Sequence, residues 1–215
     1  MVIKSIAETS YQGMFKIAAE SGAAFFVRQE YLDSIELESV LPGEEFSGEQ
    51  EEQLLDAGLA SAVELKAVEY LARAEQSRFG LTRKLTEKKY ARQHIDMALD
   101  FLEQKNYLSD ERFSRAWLNS RRINHFEGRT KLLAELMGRG INKDVACGAI
   151  DDFFTENDET EICSRAYKRF VEKGKTDQKL IAAMMNAGFT YKMIKEVSQM
   201  FEEVDEMSEE VSQNV

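Results

Sequence analysis

The 215-residue sequence predicts a mainly α-helical protein built from tandem three-helix repeats, with a small β-hairpin region at its N-terminus. The chain has one proline, which breaks helix interiors, and the helix-forming residues Ala, Leu, Glu, Lys, Arg and Met dominate its composition. A pattern that recurs along the chain indicates the repeats. Because units of this kind contact mainly their neighbours, we expect an elongated, curved molecule.

The first part of the chain predicts β-structure. Met14–Ile17 and Ala24–Val27 are short runs of β-prone residues, and Glu20–Gly22 between them is typical of a turn. We expect a hairpin here, with Val2–Ile6 as a third strand. Glu49–Leu55 then predicts a short acidic helix.

Three related segments carry the internal repeat, and equivalent positions are 51 and 48 residues apart. They are Leu81–Leu85, Leu132–Leu136 and Leu180–Met184. Five residues after its last apolar anchor, each segment is followed by a large apolar residue: Tyr90, Ile141 and Phe189. Each segment then leads into a further helix, so each repeat is predicted to contain three helices.

The junction after each segment has a physical explanation. Gly140 and Gly188 can take the left-handed conformation that ends a helix, and Asn142 and Thr190 can cap the helix that follows. The first copy differs, because Lys89 stands where the others have glycine and Ala91 stands where they have a capping residue.

The repeats set the predicted domain boundaries. Ser61 and Glu64 fit a capping box that begins the first repeat. Tyr70, Trp117 and Tyr167 are equivalent aromatic anchors in the first helices. The predicted segments are an N-terminal region over 1–59, repeats over 60–108, 109–157 and 158–207, and an acidic disordered tail over 208–215.

Charge is distributed unevenly along the chain, whose net charge is −11. Residues 1–59 contain 3 lysines and arginines against 12 aspartates and glutamates, and residues 151–215 contain 8 against 15. Residues 60–150 reverse the balance, with 17 against 12. A basic middle between acidic flanks favours binding to an acidic partner or to nucleic acid, which the total charge alone would argue against.

Basic residues of the first two repeats are the candidate partner- or DNA-binding site. Arginine suits both phosphates and carboxylates, because its planar fork makes paired hydrogen bonds. The alternative is that these residues are solvated helix faces paired with nearby Asp and Glu. The candidates are Arg78, Arg83, Lys84, Lys88, Arg112, Arg115, Arg121, Arg122, Arg129, Lys131 and Arg139.

The sequence contains no recognisable catalytic pattern. His94 and His125 are interpreted as surface or loop residues, and Cys147 and Cys163 as reduced thiols. Phosphate-binding loops, nucleophile elbows and zinc-ligand spacings are absent. We expect a cytoplasmic protein that is not an enzyme, holds no metal or cofactor and does not bind membranes.

A set of short motifs runs through all three repeats, and the most distinctive lie in the second. They are Tyr70–Arg73, Ser77-Arg78, Leu81, Lys84-Leu85, Lys88, Tyr90, Leu108–Phe113, Arg121-Arg122, Gly128, Leu132, Glu135-Leu136, Arg139–Ile141 and Gly188-Phe189. These motifs resemble the RecX family, which regulates the bacterial RecA recombinase. The chain departs from the family at Gly80, where members usually have glutamate, and at Lys89, where they usually have glycine. Residues 25–43 also resemble an N-terminal extension of some members.

The resemblance implies a monomer that binds the RecA–single-stranded DNA filament and inhibits its assembly, ATPase, strand-exchange and co-protease activities. Those activities belong to DNA repair, homologous recombination and the SOS response. Two alternatives stay open. A generic DNA-binding helical-repeat protein would bind naked DNA tightly, whereas a helical scaffold for another protein would hold its arginines in scattered salt bridges.

Overall fold

The computed structural model describes residues 1–122 and 125–213, with side chains up to residue 203. The chain divides into two compact units, Met1–Ser109 and Asp110–Val215, called unit 1 and unit 2. The structure confirms a mainly helical protein with a small N-terminal sheet. The elongated, curved shape stays a prediction.

Unit 1 begins with an antiparallel sheet, which confirms the predicted hairpin and its third strand. The strands, in spatial order, are β1 (Ile3–Glu8), β2 (Met14–Ala19) and β3 (Phe25–Arg28). Ile3, Ile17 and Val27 are buried from these strands and pack with Leu54 and Ala57 of the following helix. The sheet therefore has no core of its own and shares one with that helix.

The helices of unit 1 form the first repeat. They are α1 (Glu49–Leu71), α2 (Arg78–Glu87) and α3 (Arg92–Gln104). Val63 of α1, Leu81 and Leu85 of α2, and Ile95 and Leu99 of α3 form its core. Apolar residues at this 3–4 spacing lie on one face of each helix, so the three helices can bury a common core.

The predicted break between a short acidic helix and a new helix at Ser61 is wrong, because α1 is continuous from Glu49 to Leu71. Ser61 is fully buried, where its hydroxyl donates to the Ala57 carbonyl (2.8 Å) and accepts the Arg28 N–H (2.9 Å). The residues that suggested a cap are polar because they bind β3. The predicted boundary at residues 59 and 60 thus falls inside a helix.

A buried ion pair joins β3 to α1. The Arg28 guanidinium donates to both carboxylate oxygens of Glu64, from Nε at 2.6 Å and from Nη2 at 2.5 Å. The Tyr31 hydroxyl also donates to Glu64 (2.9 Å), and the Arg28 guanidinium lies 4.2 Å from the centre of the Phe101 ring of α3. Only 9% of the Arg28 side chain and 4% of the Glu64 side chain are exposed.

This environment shifts two pKa values. Burial alone would lower the pKa of Arg28, but its hydrogen bonds to Glu64 and the carboxylate charge raise it above the ordinary value. Burial, together with the negative charge of Glu64, raises the pKa of the Tyr31 hydroxyl well above its usual range. Tyr31 therefore remains a hydrogen-bond donor at any physiological pH.

Unit 2 contains the second and third repeats. The helices are α4 (Asp110–Arg122), α5 (Arg129–Met137), α6 (Lys143–Glu156), α7 (Glu159–Glu172), α8 (Asp177–Asn186) and α9 (Tyr191–Gln213). The predicted caps are confirmed, because Asn142 accepts the Asp144 N–H (2.9 Å) and the Thr190 hydroxyl accepts the Met193 N–H (3.3 Å). The structure continues α9 to Gln213, where the sequence predicts a tail from residue 208, and Asn214 and Val215 lie outside the described residues.

The same helix-ending turn recurs in all three repeats. Lys89, Gly140 and Gly188 are left-handed, with φ of 67°, 80° and 95°. In each turn, this residue's N–H reaches back three residues and the next N–H reaches back five, which is a Schellman motif. Lysine at this position costs about 1–2 kcal/mol that glycine avoids.

The second and third repeats touch through two glycines. Gly128, just before α5, donates its N–H to the Ala187 carbonyl at 2.8 Å. A Cβ at Gly128 would lie 2.6 Å from the Gly188 carbonyl carbon, and a Cβ at Gly188 would lie 2.6 Å from the Lys131 nitrogen. No side chain fits between these backbones, so both turns need glycine for their close approach.

Candidate nucleic-acid and partner interface

The candidate basic residues of unit 1 lie on α2 and the turn after it. Ser77 caps α2, because its hydroxyl accepts the Gly80 N–H at 3.0 Å. Arg78 then points at α3, where it pairs with Asp96 (3.6 Å), Asp100 (2.7 Å) and Glu103 (2.5 Å). Arg78 thus joins two helices of the first repeat.

Those carboxylates also determine the pKa of Arg78. Burial alone would lower it, but hydrogen bonds and charge from Asp100 and Glu103 raise it above the ordinary value. Lys84 is partly occupied as well, since its Nζ donates to Gln76 at 2.7 Å and lies 5.2 Å from the Tyr70 ring centre. Neither cation is fully available to a partner.

Four other cations face solvent around the α2–α3 connection. They are Arg83, Lys88, Lys89 and Arg92, and we call them the α2–α3 cationic turn. Arg83 pairs with Glu87 at 3.8 Å and Arg92 with Asp96 at 2.7 Å, while about 70% of each arginine side chain stays exposed. Such surface pairs contribute roughly 0.3–0.5 kcal/mol, so a polyanion can displace them.

In unit 2, α4 carries four of the candidates. Arg115 pairs with Asp152 of α6 at 3.0 Å, and Arg122 donates to the Asn157 side chain at 3.3 Å. Both arginines are exposed, whereas Arg112 is half-buried. Arg115 and Arg122 are seven residues apart, about two helical turns, so they share one face of α4.

Arg121 belongs to a network around a buried carboxylate. Both its Nε and Nη2 donate to Glu127, at 2.9 and 2.7 Å, and Lys131 pairs with the other Glu127 oxygen at 2.6 Å. Arg139 pairs with Glu135 at 3.4 Å and lies 4.5 Å from the Trp117 ring centre. These contacts hold α4 against α5.

Arg129 has a similar structural role elsewhere in unit 2. It pairs with Asp151 of α6 and with Glu159 of α7 (2.9 Å), and its guanidinium lies 4.7 Å from the Phe154 ring centre. Burial would lower the pKa of Arg129, but its hydrogen bonds to Asp151 and Glu159 raise it. The residue therefore links the second repeat to the third.

The buried Glu127 carboxylate makes the stability of unit 2 depend on pH. Burial would raise the pKa of Glu127, but hydrogen bonds from Lys131 and Arg121 outweigh it and lower the pKa below its ordinary value. A depressed carboxylate pKa contributes stability above the unfolded-state pKa of about 4.3 and loses it as pH falls through the folded-state pKa.

We therefore expect Glu127→Gln to lower the urea midpoint of unit 2 at pH 7 and to flatten its decline between about pH 5 and pH 3. Glu161→Gln, which removes an exposed surface pair with Arg165, is the matched control and should change neither value appreciably. An acid decline equally steep in Glu127→Gln and in the unsubstituted chain would contradict the assignment.

The buried histidine and cysteine lie in structural environments. His94 is buried rather than on the surface as predicted, and its Nε2 lies 2.9 Å from Asp56 Oδ1, so it joins α3 to α1. Burial raises the pKa of the Cys163 thiol to about 12, which keeps it protonated. Within the described ranges, no group of three or more His, Cys, Asp or Glu residues could hold a metal ion.

Nor does any helix in the described part of the chain combine the length and apolar character needed to cross a bilayer.

The candidate site residues predicted from the sequence lie in different environments. Arg78, Arg121, Lys131 and Arg139 are partly buried and pair with carboxylates, and Arg129 pairs with two carboxylates although 44% of its side chain is exposed. Arg83, Lys88, Arg115 and Arg122 are exposed, while Lys84 and Arg112 are partly buried. Lys89 and Arg92, which the candidate set omits, lie beside the exposed group in unit 1.

Comparisons with known proteins agree with this architecture. The family profile "RecX, first three-helix domain" matches residues 65–102, which covers the end of α1 and all of α2 and most of α3. A crystal structure of regulatory protein RecX superimposes with a TM-score of 0.68 at 18% identity, covering 91% of this chain and 98% of that one. RecX from Lactobacillus salivarius has a TM-score of 0.58 at 17% identity, over 67% and 97% of the two chains.

Sequence relatives extend the match beyond the fold. Regulatory protein RecX of Treponema pallidum (strain Nichols) is 32% identical over 132 residues, which are 61% of this chain and 80% of the relative. Regulatory protein RecX of Chlorobium limicola is 30% identical over 143 residues, 63% and 87% of the two chains. The names describe regulators and not enzymes. With that much of each relative covered, the chain belongs to the RecX family of regulatory proteins.

Proposed function

We propose that this protein binds the RecA–single-stranded DNA filament and inhibits its assembly, ATPase, strand-exchange and co-protease activities. The observation that carries the proposal is membership of the RecX family, with 32% identity over 80% of the Treponema relative. We propose further that it acts in the cytoplasm as a monomer and without a cofactor. Its effect would come from occupying filament surface and not from chemistry of its own.

The charge distribution supports a composite target. Exposed cations lie on α2 and its following turn in unit 1 and on α4 in unit 2, within a chain whose net charge is −11. Residues 1–59 contain 12 acidic residues against 3 basic ones, and this excess repels free nucleic acid. A filament offers DNA phosphates and protein surface together, so it can satisfy the cations while other contacts offset the repulsion.

The test is a titration of the purified protein into its cognate recombinase on single-stranded DNA. The rate of ATP hydrolysis by the recombinase is measured at each concentration. We expect the hydrolysis rate to fall as the protein approaches stoichiometry with recombinase. Arg122→Glu should raise the concentration needed for half-inhibition, because Arg122 is exposed and, among the residues that the structure describes, its side chain has only the neutral Asn157 as a partner. Arg165→Glu, at an exposed arginine of α7, is the matched control.

An unchanged hydrolysis rate at stoichiometric protein would exclude filament regulation. Reversal of Arg121 or Arg129 is a poor test of binding, because both arginines pair with carboxylates of unit 2 and the new charge would also disturb those contacts. Far-ultraviolet circular dichroism of each variant separates these cases, since Arg122→Glu should retain the native spectrum and melting temperature.

Each alternative function has one observation in its favour. The exposed α2–α3 cationic turn favours a generic DNA-binding protein, whose signature would be tight and steeply salt-dependent binding to naked DNA. The ion-paired Arg78, Arg121 and Arg129 favour a helical scaffold for another protein. A chain that binds naked DNA tightly and leaves recombinase unaffected would support the first alternative over the filament proposal.

A further inference from the structure

Local structure disfavours the positive charge at the α2–α3 connection, yet the charge is there. Lys89 is left-handed at φ 67°, where the equivalent turns of the other repeats have Gly140 and Gly188. Its side chain is exposed and forms no ion pair with any residue that the structure describes. Packing and pairing within the fold therefore do not explain why a lysine occupies a glycine position.

Arg92 is disfavoured for a different reason. It is the first residue of α3, where the helix dipole is positive and repels a cation, and Ala91 before it makes no side-chain cap. Only its surface pair with Asp96 offsets this effect. The dipole of α2 favours a cation at Lys88 and at Lys89, which follow that helix's C-terminus, but it does not remove the left-handed strain of Lys89 and gives no reason for Arg92.

These residues lie in a stretch of the chain with a large excess of basic over acidic residues. Residues 78–92 contain six lysines and arginines and one acidic residue, Glu87. Arg78 is neutralised by the carboxylates of α3, which leaves the α2–α3 cationic turn as the exposed positive charge. Lysines and arginines without fixed acidic partners neutralise phosphates and release their counterions.

An exposed aromatic ring accompanies these cations. Phe79 lies on α2 four residues before Arg83, so the two share a face of the helix, and 53% of Phe79 is exposed. An exposed phenylalanine on the same helix face as Arg83 suits single-stranded nucleic acid, because unpaired bases can stack on a ring while the phosphates meet the charges. A duplex would present phosphates but keep its bases stacked.

We infer that the α2–α3 cationic turn, with Phe79, binds the backbone and one base of single-stranded DNA. This inference rests on the proposed function and assigns the DNA to the first repeat of unit 1. Lys88, Lys89, Arg83 and Arg92 contact phosphates without reading sequence. Arg78, Arg121 and Arg129 take no part in this contact, since their guanidiniums are held by carboxylates of the fold.

Lys89→Gly tests the inference, because the stability of the protein and its affinity for DNA should change in opposite directions. Glycine relieves the left-handed strain, so the melting temperature should rise by about 4 °C. Binding of the full chain to a fluorescein-labelled oligo-dT should weaken by about fivefold at 0.1 M salt, and the slope of log K against log salt should fall by about 0.7. Phe79→Ala should weaken binding by roughly tenfold with the slope unchanged.

The matched control is Lys192→Gln, at a highly exposed lysine of α9 whose nearest carboxylate, on Glu196, is 3.9 Å away. It should leave the oligo-dT affinity and the salt slope unchanged. If Lys89→Gly weakens binding no more than Lys192→Gln, or if the unsubstituted chain does not bind oligo-dT even at 25 mM salt, the inference is overturned.

The recombinase assay separates this inference from the proposed function. If Lys89→Gly binds oligo-dT normally but inhibits recombinase poorly, the turn faces the recombinase, which overturns the DNA assignment and leaves filament regulation standing. If the unsubstituted chain does not affect ATP hydrolysis, filament regulation fails, while the oligo-dT measurements still decide whether the turn binds DNA.

Discussion

Replacing Glu64 by glutamine is expected to lower the free energy of unfolding of unit 1 by about 3–5 kcal/mol, because the buried Arg28 guanidinium loses its hydrogen-bonded counter-charge and retains the partly exposed Glu30 carboxylate at 3.8 Å. Both carboxylate oxygens of Glu64 accept hydrogen bonds from Arg28, and one also accepts from Tyr31. The amide of glutamine can accept at only one of its two terminal atoms, so at least one donor also loses its partner. Urea denaturation followed by circular dichroism measures the loss.

Glu69→Gln is the matched control on the same helix. Glu69 pairs with Lys66 at the surface, so its replacement should leave the urea midpoint of unit 1 nearly unchanged. The double variant Arg28→Met/Glu64→Leu should recover much of the loss, because replacing a whole buried ion pair with apolar residues is often nearly neutral. A Glu64→Gln variant within about 1 kcal/mol of the unsubstituted chain would contradict the prediction, because it would show that the ion pair contributes little to stability.

Gly128→Ala is expected to destabilise unit 2 by roughly 3 kcal/mol or more, through overpacking and loss of a buried hydrogen bond. The added Cβ would meet the Gly188 carbonyl and the Phe189 nitrogen, so the two repeats must separate and the hydrogen bond from Gly128 to Ala187 must stretch. The φ of Gly128 is −85°, which any residue can adopt, so the effect comes from space alone.

Three further glycine-to-alanine variants of unit 2 complete the comparison, measured by the same denaturation. Gly174 is left-handed with open space around it, so Gly174→Ala should lose only about 1–2 kcal/mol. Gly188 is left-handed and crowded by Lys131, so its loss should exceed that of Gly174. Gly148 lies within α6 with no atom near its added Cβ, and Gly148→Ala should stabilise by about 0.5–1 kcal/mol. A Gly128→Ala loss no larger than that of Gly174→Ala would contradict the close contact between repeats.

Local patterns predicted much of the fold. The strands, the turn at Gly22, the caps at Asn142 and Thr190 and the left-handed Lys89 are each determined by a few neighbouring residues. The aromatic anchors Tyr70, Trp117 and Tyr167 also pack against the cores of their own repeats. Interactions of this kind leave a readable signal because both partners lie within a few positions of each other.

Long-range pairing explains the errors. Ser61 and Glu64 match a capping box in sequence, but their partner Arg28 lies more than thirty residues earlier, on β3. His94 was assigned to the surface because nothing nearby indicates that Asp56 of α1 would meet it. In each case a polar residue is buried by a partner that sequence spacing cannot identify.

The candidate site shows the same contrast between local patterns, which the sequence predicts, and long-range contacts, which it does not. Counting charges along the sequence identifies a basic region, but a count treats Arg121 and Arg122 as equals. The structure buries Glu127 against Arg121 and leaves Arg122 at the surface. Which arginines remain for a partner depends on where the carboxylates fold, so the assignment of site residues stays a prediction that the charge-variant experiments decide.

The recurring Schellman turn lets otherwise similar repeats specialise. In the third repeat, Gly188 presses against the backbone of α5, so its turn works as an internal joint that admits no side chain. In the first repeat, the same backbone geometry projects Lys89 into solvent. The same backbone turn can therefore pack against a neighbouring repeat in one copy and present a charged side chain to solvent in another. The residue at the left-handed position, glycine or lysine, distinguishes the two cases.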